Sequence, residues 1–235
     1  MKNNILFIPK GYLKLSIVNC QLSIGRQPYK SQFPYNEMEK NMKYVTLLRK
    51  SVGAALLIAL GDAALLKLGN PIGPFLFTLG LLGVCYLGQN LFTGKCGFLF
   101  ADRIPLGDLL LILLGNLAAG WVFGWLLSLA DPSLVAPAAE KVASWELSLP
   151  FFVRACLCGV VMYIAVLLYR KGTPLGILVG VPLFIFCGFQ HCIANVITLG
   201  AARTWDWSLL LAVLGNFAGS LFAWLITCDK VISNR

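Results

Sequence analysis

Charged side chains are scarce in this sequence. Only 12% of its 235 residues are Asp, Glu, Lys or Arg, whereas 58% are hydrophobic, and the mean hydropathy is +0.79. A soluble domain carries about a quarter of its residues as charged side chains. The composition therefore excludes an ordinary soluble domain and predicts an integral membrane protein with a single domain.

Histidine is almost absent, since His191 is the one histidine in the chain. With no second histidine and no cysteine cluster, the sequence offers no ligand set for a haem or a metal ion, so we expect no cofactor and no metal. Most of the eight cysteines fall in or beside apolar segments, where free cysteine behaves as a small hydrophobe. A membrane-bound redox or haem protein is therefore the least favoured alternative.

Apolar segments dominate the chain after residue 50. They cover residues 51–66, 72–93, 104–130, 149–169, 173–199 and 207–228. Most reach the roughly 20 residues that cross a bilayer, although the first is short. We predict an all-α polytopic membrane protein with six transmembrane helices in a channel domain at 42–229, followed by a short cytoplasmic tail at 230–235.

The first 41 residues form a polar N-terminal extension with short apolar patches. No patch is long enough to span a membrane, and none is the core of a signal peptide. Three alternatives stay open for this extension. It is a disordered arm, a segment that lies on the membrane surface, or a stretch that is not translated, because Met38 or Met42 could start the chain.

The basic residues predict the orientation of the six spans. An even number of spans puts both termini on one side, and that side receives 15 of the 19 Lys and Arg residues against 3 on the other. Without residues 1–41 the counts are 9 against 3. Because positive charge collects on the inner side, we expect both termini in the cytoplasm and the protein in the cell (inner) membrane. The net charge of +9 could suggest a nucleic-acid partner, but the position of the basic residues beside the apolar segments argues against one.

An internal repeat relates the two halves of the chain. "LLLILLGNLAAG" from Leu109 and "LLLAVLGNFAGS" from Leu209 share seven of their first ten residues at a shift of 100. "LGQNLFTG" (87–94) likewise lies about 100 residues before "GFQHCIAN" (188–195). Three spans is an odd number, so the second unit enters the membrane upside down, which predicts an inverted repeat.

Segments two and five are predicted to be broken helices. Each passes from an apolar run to a patch of glycine, amide and hydroxyl residues. A break in a helix leaves backbone polar groups without partners, so within the membrane it is stable only where it packs inside the protein or lines a cavity. The backbone N–H groups at the start of a half-helix attract negative charge, and such a path favours a small anion.

"NLFTG" followed by "GFQHCIAN", with the repeated "LGN" helices, resembles the formate/nitrite transporter family over about residues 44–229. The resemblance implies a homopentamer in the lipid bilayer, with an aquaporin-like fold and a pore in each protomer. It also implies transport rather than enzymatic activity. The expected function is passive or proton-coupled passage of small monovalent anions such as formate or nitrite. The main alternative is a channel for neutral solutes, although the chain lacks the Asn-Pro-Ala motifs of aquaporins.

The resemblance also implies the pore residues. Leu91, Phe92 and Thr93 match a loop that forms one constriction, and His191 and Asn195 match the pore histidine and the asparagine one turn later. By position, the resemblance also implies that Phe77, Leu81 and Phe184 form the other apolar constriction. It implies that Lys141 is the vestibule lysine.

Two departures from the family pattern concern charge. The family carries glutamate before "LFT" and before the pore histidine, whereas this chain has Asn90 and Gln190. Both replacements are neutral amides of similar shape, which keep hydrogen-bonding capacity at each break and remove the negative charge.

Overall fold

The structure is a computed structural model that describes residues 35–228. Within this range the regular elements are nine α-helices and two short 3-10 turns, at Cys96–Phe98 and Pro132–Leu134. The helices are α1 (Tyr35–Leu68), α2 (Ile72–Tyr86), α3 (Phe92–Lys95), α4 (Leu106–Ala130), α5 (Val135–Ala143), α6 (Leu149–Arg170), α7 (Leu175–Phe186), α8 (Cys192–Ala201) and α9 (Ser208–Thr227). The predicted all-α fold is confirmed.

The N-terminal boundary differs from the expected one. Helix α1 begins at Tyr35, so the boundary predicted at residues 41 and 42 falls in its second turn. The apolar stretch 51–66 is the later part of this longer helix. Most of the predicted extension, and the whole tail at 230–235, lie outside the described residues.

Four of the helices are long and apolar enough to cross a membrane: α1 from Glu39 onward, α4, α6 and α9. Helices α2, α7 and α8 are apolar but shorter, with 15, 12 and 10 residues. Helix α2 is followed closely by α3, and α7 by α8, so the predicted second and fifth segments each contain two helices.

Close helix packing depends on glycine. Helix α4 packs on α8, and α6 packs on α9. Gly124 of α4 lies against the backbone carbonyl of Ile197, and Gly219 of α9 lies against that of Cys156. A Cβ atom at either glycine would overlap the opposite backbone, which is how small residues let helices approach in membranes.

Several polar side chains are buried within the largely apolar interior of the bundle, whereas its outer surface is rich in large apolar residues. Large apolar residues such as Leu79, Val179 and Leu214 are exposed, as a lipid-facing surface requires. Several polar residues are at most 2% exposed. They are Asp62, Thr93, Asn116, His191, Asn195, Thr198 and Asn216. Burial of so many polar groups requires that they bond one another.

Candidate functional site

Two helix interruptions bring the polar residues together. The chain is non-helical between Tyr86 and Phe92, and again between Phe186 and Cys192. Gly88 and Gly188 turn the chain at these points with φ angles of +60° and +65°. Only glycine adopts this left-handed conformation without strain, so both turns depend on it.

Asn116 of α4 supports the first interruption. Its Oδ1 accepts a hydrogen bond from the backbone N–H of Phe92 at 2.7 Å. Its Nδ2 donates to the carbonyls of Ser51 and Asn90 at 2.8 and 3.0 Å. One side chain therefore satisfies three backbone groups that the interruption and the nearby helix leave buried.

Asn216 of α9 supports the second interruption in the same way. It accepts from the N–H of Cys192 at 2.8 Å and donates to the carbonyls of Ala155 and Gln190 at 2.8 and 2.7 Å. Cys192 and Gln190 stand 100 residues after Phe92 and Asn90, which is the shift of the sequence repeat. Asn116 and Asn216 are thus interhelical hydrogen-bond positions.

Thr93 and His191 meet where the two interruptions face each other. Thr93 Oγ1 lies 2.9 Å from His191 Nε2, and both residues are buried. His191 Nδ1 accepts a hydrogen bond from the N–H of Ala194 at 3.1 Å and so caps the N-terminus of α8. A nitrogen that accepts carries no proton, so in this geometry the ring proton is assigned to Nε2.

This tautomer defines the chemistry of the pair. The Nε2–H group of His191 donates to Thr93 Oγ1, and the hydroxyl hydrogen of Thr93 is then available for a further acceptor. A fully protonated imidazole would place an N–H group at Nδ1 against the N–H of Ala194. The pair therefore offers a neutral hydrogen-bond donor in an apolar surrounding.

A cavity of about 380 Å³, which we call the Lys141 cavity, lies on one side of this pair. His191, Gln190, Asn195 and Lys141 line it together with apolar residues that include Phe77 and Phe184. No Asp or Glu of the described chain is part of this lining. The cavity thus presents a cation and amides to a solute.

Two aromatic rings line the Lys141 cavity beside His191. The rings of Phe77 and Phe184 meet edge to face with centroids 6.0 Å apart. Phe184 also stacks on the imidazole of His191 at 5.7 Å. All three side chains are at most 3% exposed, so a closed apolar contact surrounds the histidine.

A second cavity, of about 120 Å³, lies near the end of α6, and we call it the Lys95 cavity. Its walls include Leu81, Leu91, Lys95, Tyr169 and Arg170. Leu81 was grouped with Phe77 and Phe184 in the sequence, whereas here it lines a different cavity together with Leu91.

The structure does not bring every expected pore residue into these two cavities. Phe92 is buried, and its backbone bonds Asn116. Asn90 lines a separate surface pocket with Lys43 and Lys50 of α1. Gln190 lies in the Lys141 cavity, where its Oε1 accepts from Asn195 Nδ2 at 3.0 Å. The two amides therefore have different surroundings.

Lys141 contacts two buried polar side chains in a cluster that the sequence did not reveal. Its ammonium lies 3.6 Å from Asp62 Oδ1 and donates to Thr198 Oγ1 at 3.3 Å. The hydroxyl of Thr198 lies 3.0 Å from Asp62 Oδ2. Asp62 is completely buried, and an aspartate in an apolar segment was the one signal in the sequence that could have indicated such a partner.

Comparisons with known proteins agree with this geometry. The sequence model of the family described as "Formate/nitrite transporter" matches residues 35–228. The chain is 28% identical, over 189 residues, to the uncharacterized transporter YrhG of Bacillus subtilis (strain 168), covering 68% of this chain and 71% of that protein.

Two solved structures share the fold. A chain described as an FNT family ion channel has a TM-score of 0.59 and 21% identity, over 84% of this chain and 91% of that one. A pentameric formate channel with formate bound has a TM-score of 0.59 and 15% identity, over 83% and 97%. At these identities the likeness concerns the fold.

The family match covers most of the chain, and the all-helical fold is that of the family's channels. Members of this family are channels and transporters rather than enzymes, so the expectation of a transport protein is confirmed. The protein belongs to the formate/nitrite transporter family.

Proposed function

We propose that the chain forms a channel for small monovalent anions, such as formate or nitrite, with its own pore in each protomer. The observation that supports this most is the lining of the two cavities. Each contains a lysine, and neither contains a carboxylate among the described residues. Asp62 and Asp102 lie outside these linings and pair with Lys141 and Arg170. The surfaces that a solute would meet carry cations and no acid, which favours anions over cations.

The apolar contacts between the cavities supply the barrier in this proposal. The transfer of a bare anion from water into a medium of low dielectric constant has a high free-energy cost. Phe77 and Phe184 on one side, and Leu81 and Leu91 on the other, would hold back hydrated ions. The Thr93–His191 pair between them would replace part of the lost hydration with hydrogen bonds.

We infer that His191 donates a hydrogen bond and does not give up a proton. Proton donation requires the doubly protonated ring, and its Nδ1–H would then face the N–H of Ala194 and lose the cap of α8. The neutral ring keeps both contacts. The anion would therefore cross as such.

The proposed architecture has six spans in two inverted units. Helices α2 and α3 would form one interrupted span, and α7 and α8 the other, as in the sequence repeat. The matched bonds of Asn116 and Asn216 support this relation. Both termini would be cytoplasmic, and five protomers would assemble as in the similar structure described as pentameric.

Flux into liposomes tests the proposal. We expect purified protein to carry formate and nitrite well above the rate of protein-free liposomes, without glycerol-driven swelling. His191→Ala should lower the anion rate about tenfold or more, because a donor and a cap are lost. Glycerol flux without anion flux would instead favour the neutral-solute channel, and absence of both would refute a channel.

The choice between hydrogen bonding and proton donation needs a second variant. Asparagine is a good N-cap residue but does not titrate, so His191→Asn keeps the cap and removes the ionisable group. We expect its flux between pH 5 and pH 8 to have the same pH profile as wild type at a lower rate. A pH-dependent step that is present in wild type and absent in His191→Asn would contradict the inferred mode.

A further inference from the structure

The Lys95 cavity is lined by two cations, Lys95 and Arg170, and within residues 35–228 only one of them forms an ion pair. Asp102 accepts hydrogen bonds from both terminal nitrogens of Arg170, at 3.0 and 2.7 Å. The guanidinium carbon of Arg170 also lies 3.6 Å from the ring centre of Phe98. Arg170 is therefore held in place, and its charge is compensated by a carboxylate.

Lys95 is not balanced in this way. Across residues 35–228, no carboxylate forms an ion pair with its ammonium within 4.0 Å. The residue is half-buried, and it lines the cavity next to apolar residues. A half-buried charge beside apolar walls is poorly hydrated, so a counter-ion in the cavity would stabilise it.

Lys95 also stands at a defined point relative to the Thr93–His191 pair. It is the last residue of α3, two positions after Thr93 and one turn after Leu91. Leu91 and Lys95 both line the cavity. An anion at Lys95 would therefore lie directly beside the apolar wall that it has to cross.

The two cavities differ in how their lysines are compensated. Lys141 has the buried carboxylate of Asp62 at 3.6 Å, which offsets its charge. Lys95 has no comparable partner within the described residues. The unbalanced positive charge of the path is thus concentrated in the Lys95 cavity, on the side of the chain termini.

We propose that Lys95 forms an anion-binding site of its own, for a small monovalent oxyanion or carboxylate, in the Lys95 cavity. The role of this site in transport rests on the proposed channel function, whereas the binding of an anion to it does not. The cavity has a volume of about 120 Å³, which is about ten times the roughly 10–15 Å³ that a cavity needs to hold one water molecule. A small anion with part of its hydration shell fits.

The test uses the full chain in detergent and then in liposomes. Line broadening of ¹³C-formate reports binding to the detergent-solubilised protein, without any transport. We expect broadening with wild type and with Lys95→Arg, and its loss with Lys95→Gln. In liposomes, Lys95→Gln should raise the half-saturating formate concentration on the terminal side about tenfold, as loss of one close charge at intermediate dielectric implies.

Lys171→Gln is the matched control. Lys171 is exposed at the same end of the bundle, next to Arg170, but does not line the cavity. An equal loss of binding in Lys171→Gln would indicate a diffuse surface charge and overturn the site. Unchanged binding in Lys95→Gln, or no binding in wild type, would also overturn it. Lys95-dependent binding without any flux would uphold the site and refute only the proposed channel function.

Discussion

At the scale of single residues, buried polar side chains make with each other the hydrogen bonds that water would otherwise make. Thr93 and His191 are buried and bond each other. The two residues are 98 positions apart in the chain, so only the fold brings them into contact. Because an unsatisfied buried N–H is costly, the pair is a structural contact, and in the proposed channel it is also the donor that a solute would meet.

Replacement of Thr93 separates these contributions. Thr93→Val keeps the branched shape and removes the hydroxyl, so the Nε2–H of His191 loses its acceptor at a cost of about 1–3 kcal/mol. We expect formate flux in liposomes to fall at least tenfold, and Thr93→Ser to retain most of it. Wild-type flux in the valine variant would show that the hydroxyl takes no part.

Asp62 controls the charge of the Lys141 cavity. Asp62→Asn removes the carboxylate near Lys141 while an amide oxygen can still accept from Thr198. We expect the half-saturating anion concentration on the Lys141 side to fall several-fold, because the ammonium is no longer offset. Asp131→Asn, which removes an exposed carboxylate paired with Lys67, is the control. Equal effects of the two substitutions would argue against a specific role of Asp62.

At the scale of helices, the interruptions are held open by side chains of neighbouring helices. Helices α3 and α8 begin in the buried interior, where their first N–H groups need partners within the protein. Asn116 and Asn216 provide one acceptor and two donor contacts each. The "LGN" repeat is therefore conserved between the two halves of this chain for a physical reason.

Loss of either asparagine should have similar effects. Asn116→Ala and Asn216→Ala each leave three buried backbone groups without a partner, which we expect to destabilise the protein by about 1–3 kcal/mol for each group. Thermal unfolding in detergent measures this. Asn70→Ala, at an exposed position, is the control and should change little. A large effect of one substitution and none of the other would contradict equivalent roles in the two halves.

At the scale of the whole molecule, the apolar exterior requires lipid or other protomers as its surroundings. Large apolar side chains are exposed along the long helices. The bundle encloses a set of polar groups within an otherwise apolar core, and its charged side chains lie mainly near helix ends. The same distribution that predicts membrane insertion also predicts orientation.

Native mass spectrometry tests the assembly. Five chains of 25.6 kDa give an expected mass of about 128 kDa after release from detergent. The assembly should survive Lys95→Gln, since that residue lines a cavity within one protomer. A monomeric or trimeric mass under mild release would contradict the proposed pentamer.

Cysteine labelling in intact cells tests the orientation. Glu140 of α5 and Lys171 after α6 are both exposed and belong to opposite sides of the proposed topology. With an impermeant maleimide, we expect Glu140→Cys to be labelled above the background of native cysteines and Lys171→Cys only after permeabilisation. The reverse pattern would place the termini outside.

The sequence by itself determined the class of the protein, the repeat and the family, because these follow from composition and from local patterns. A run of apolar residues needs lipid wherever it lies, and two Gly-Asn pairs 100 positions apart are visible without coordinates. The family motifs likewise identified Thr93, His191 and Lys141 as candidates.

Only the tertiary structure decided which charges meet. Lys141 lies 79 residues from Asp62, and their 3.6 Å contact arises because α5 folds back over α1 and α8. In the sequence Lys95 is one more basic residue of an inner loop. The structure places it beside Leu91 in a cavity whose described lining has no carboxylate, and the proposed anion site depends on that placement. Ion pairs and cavities depend on distances between remote segments, and no local pattern encodes those distances.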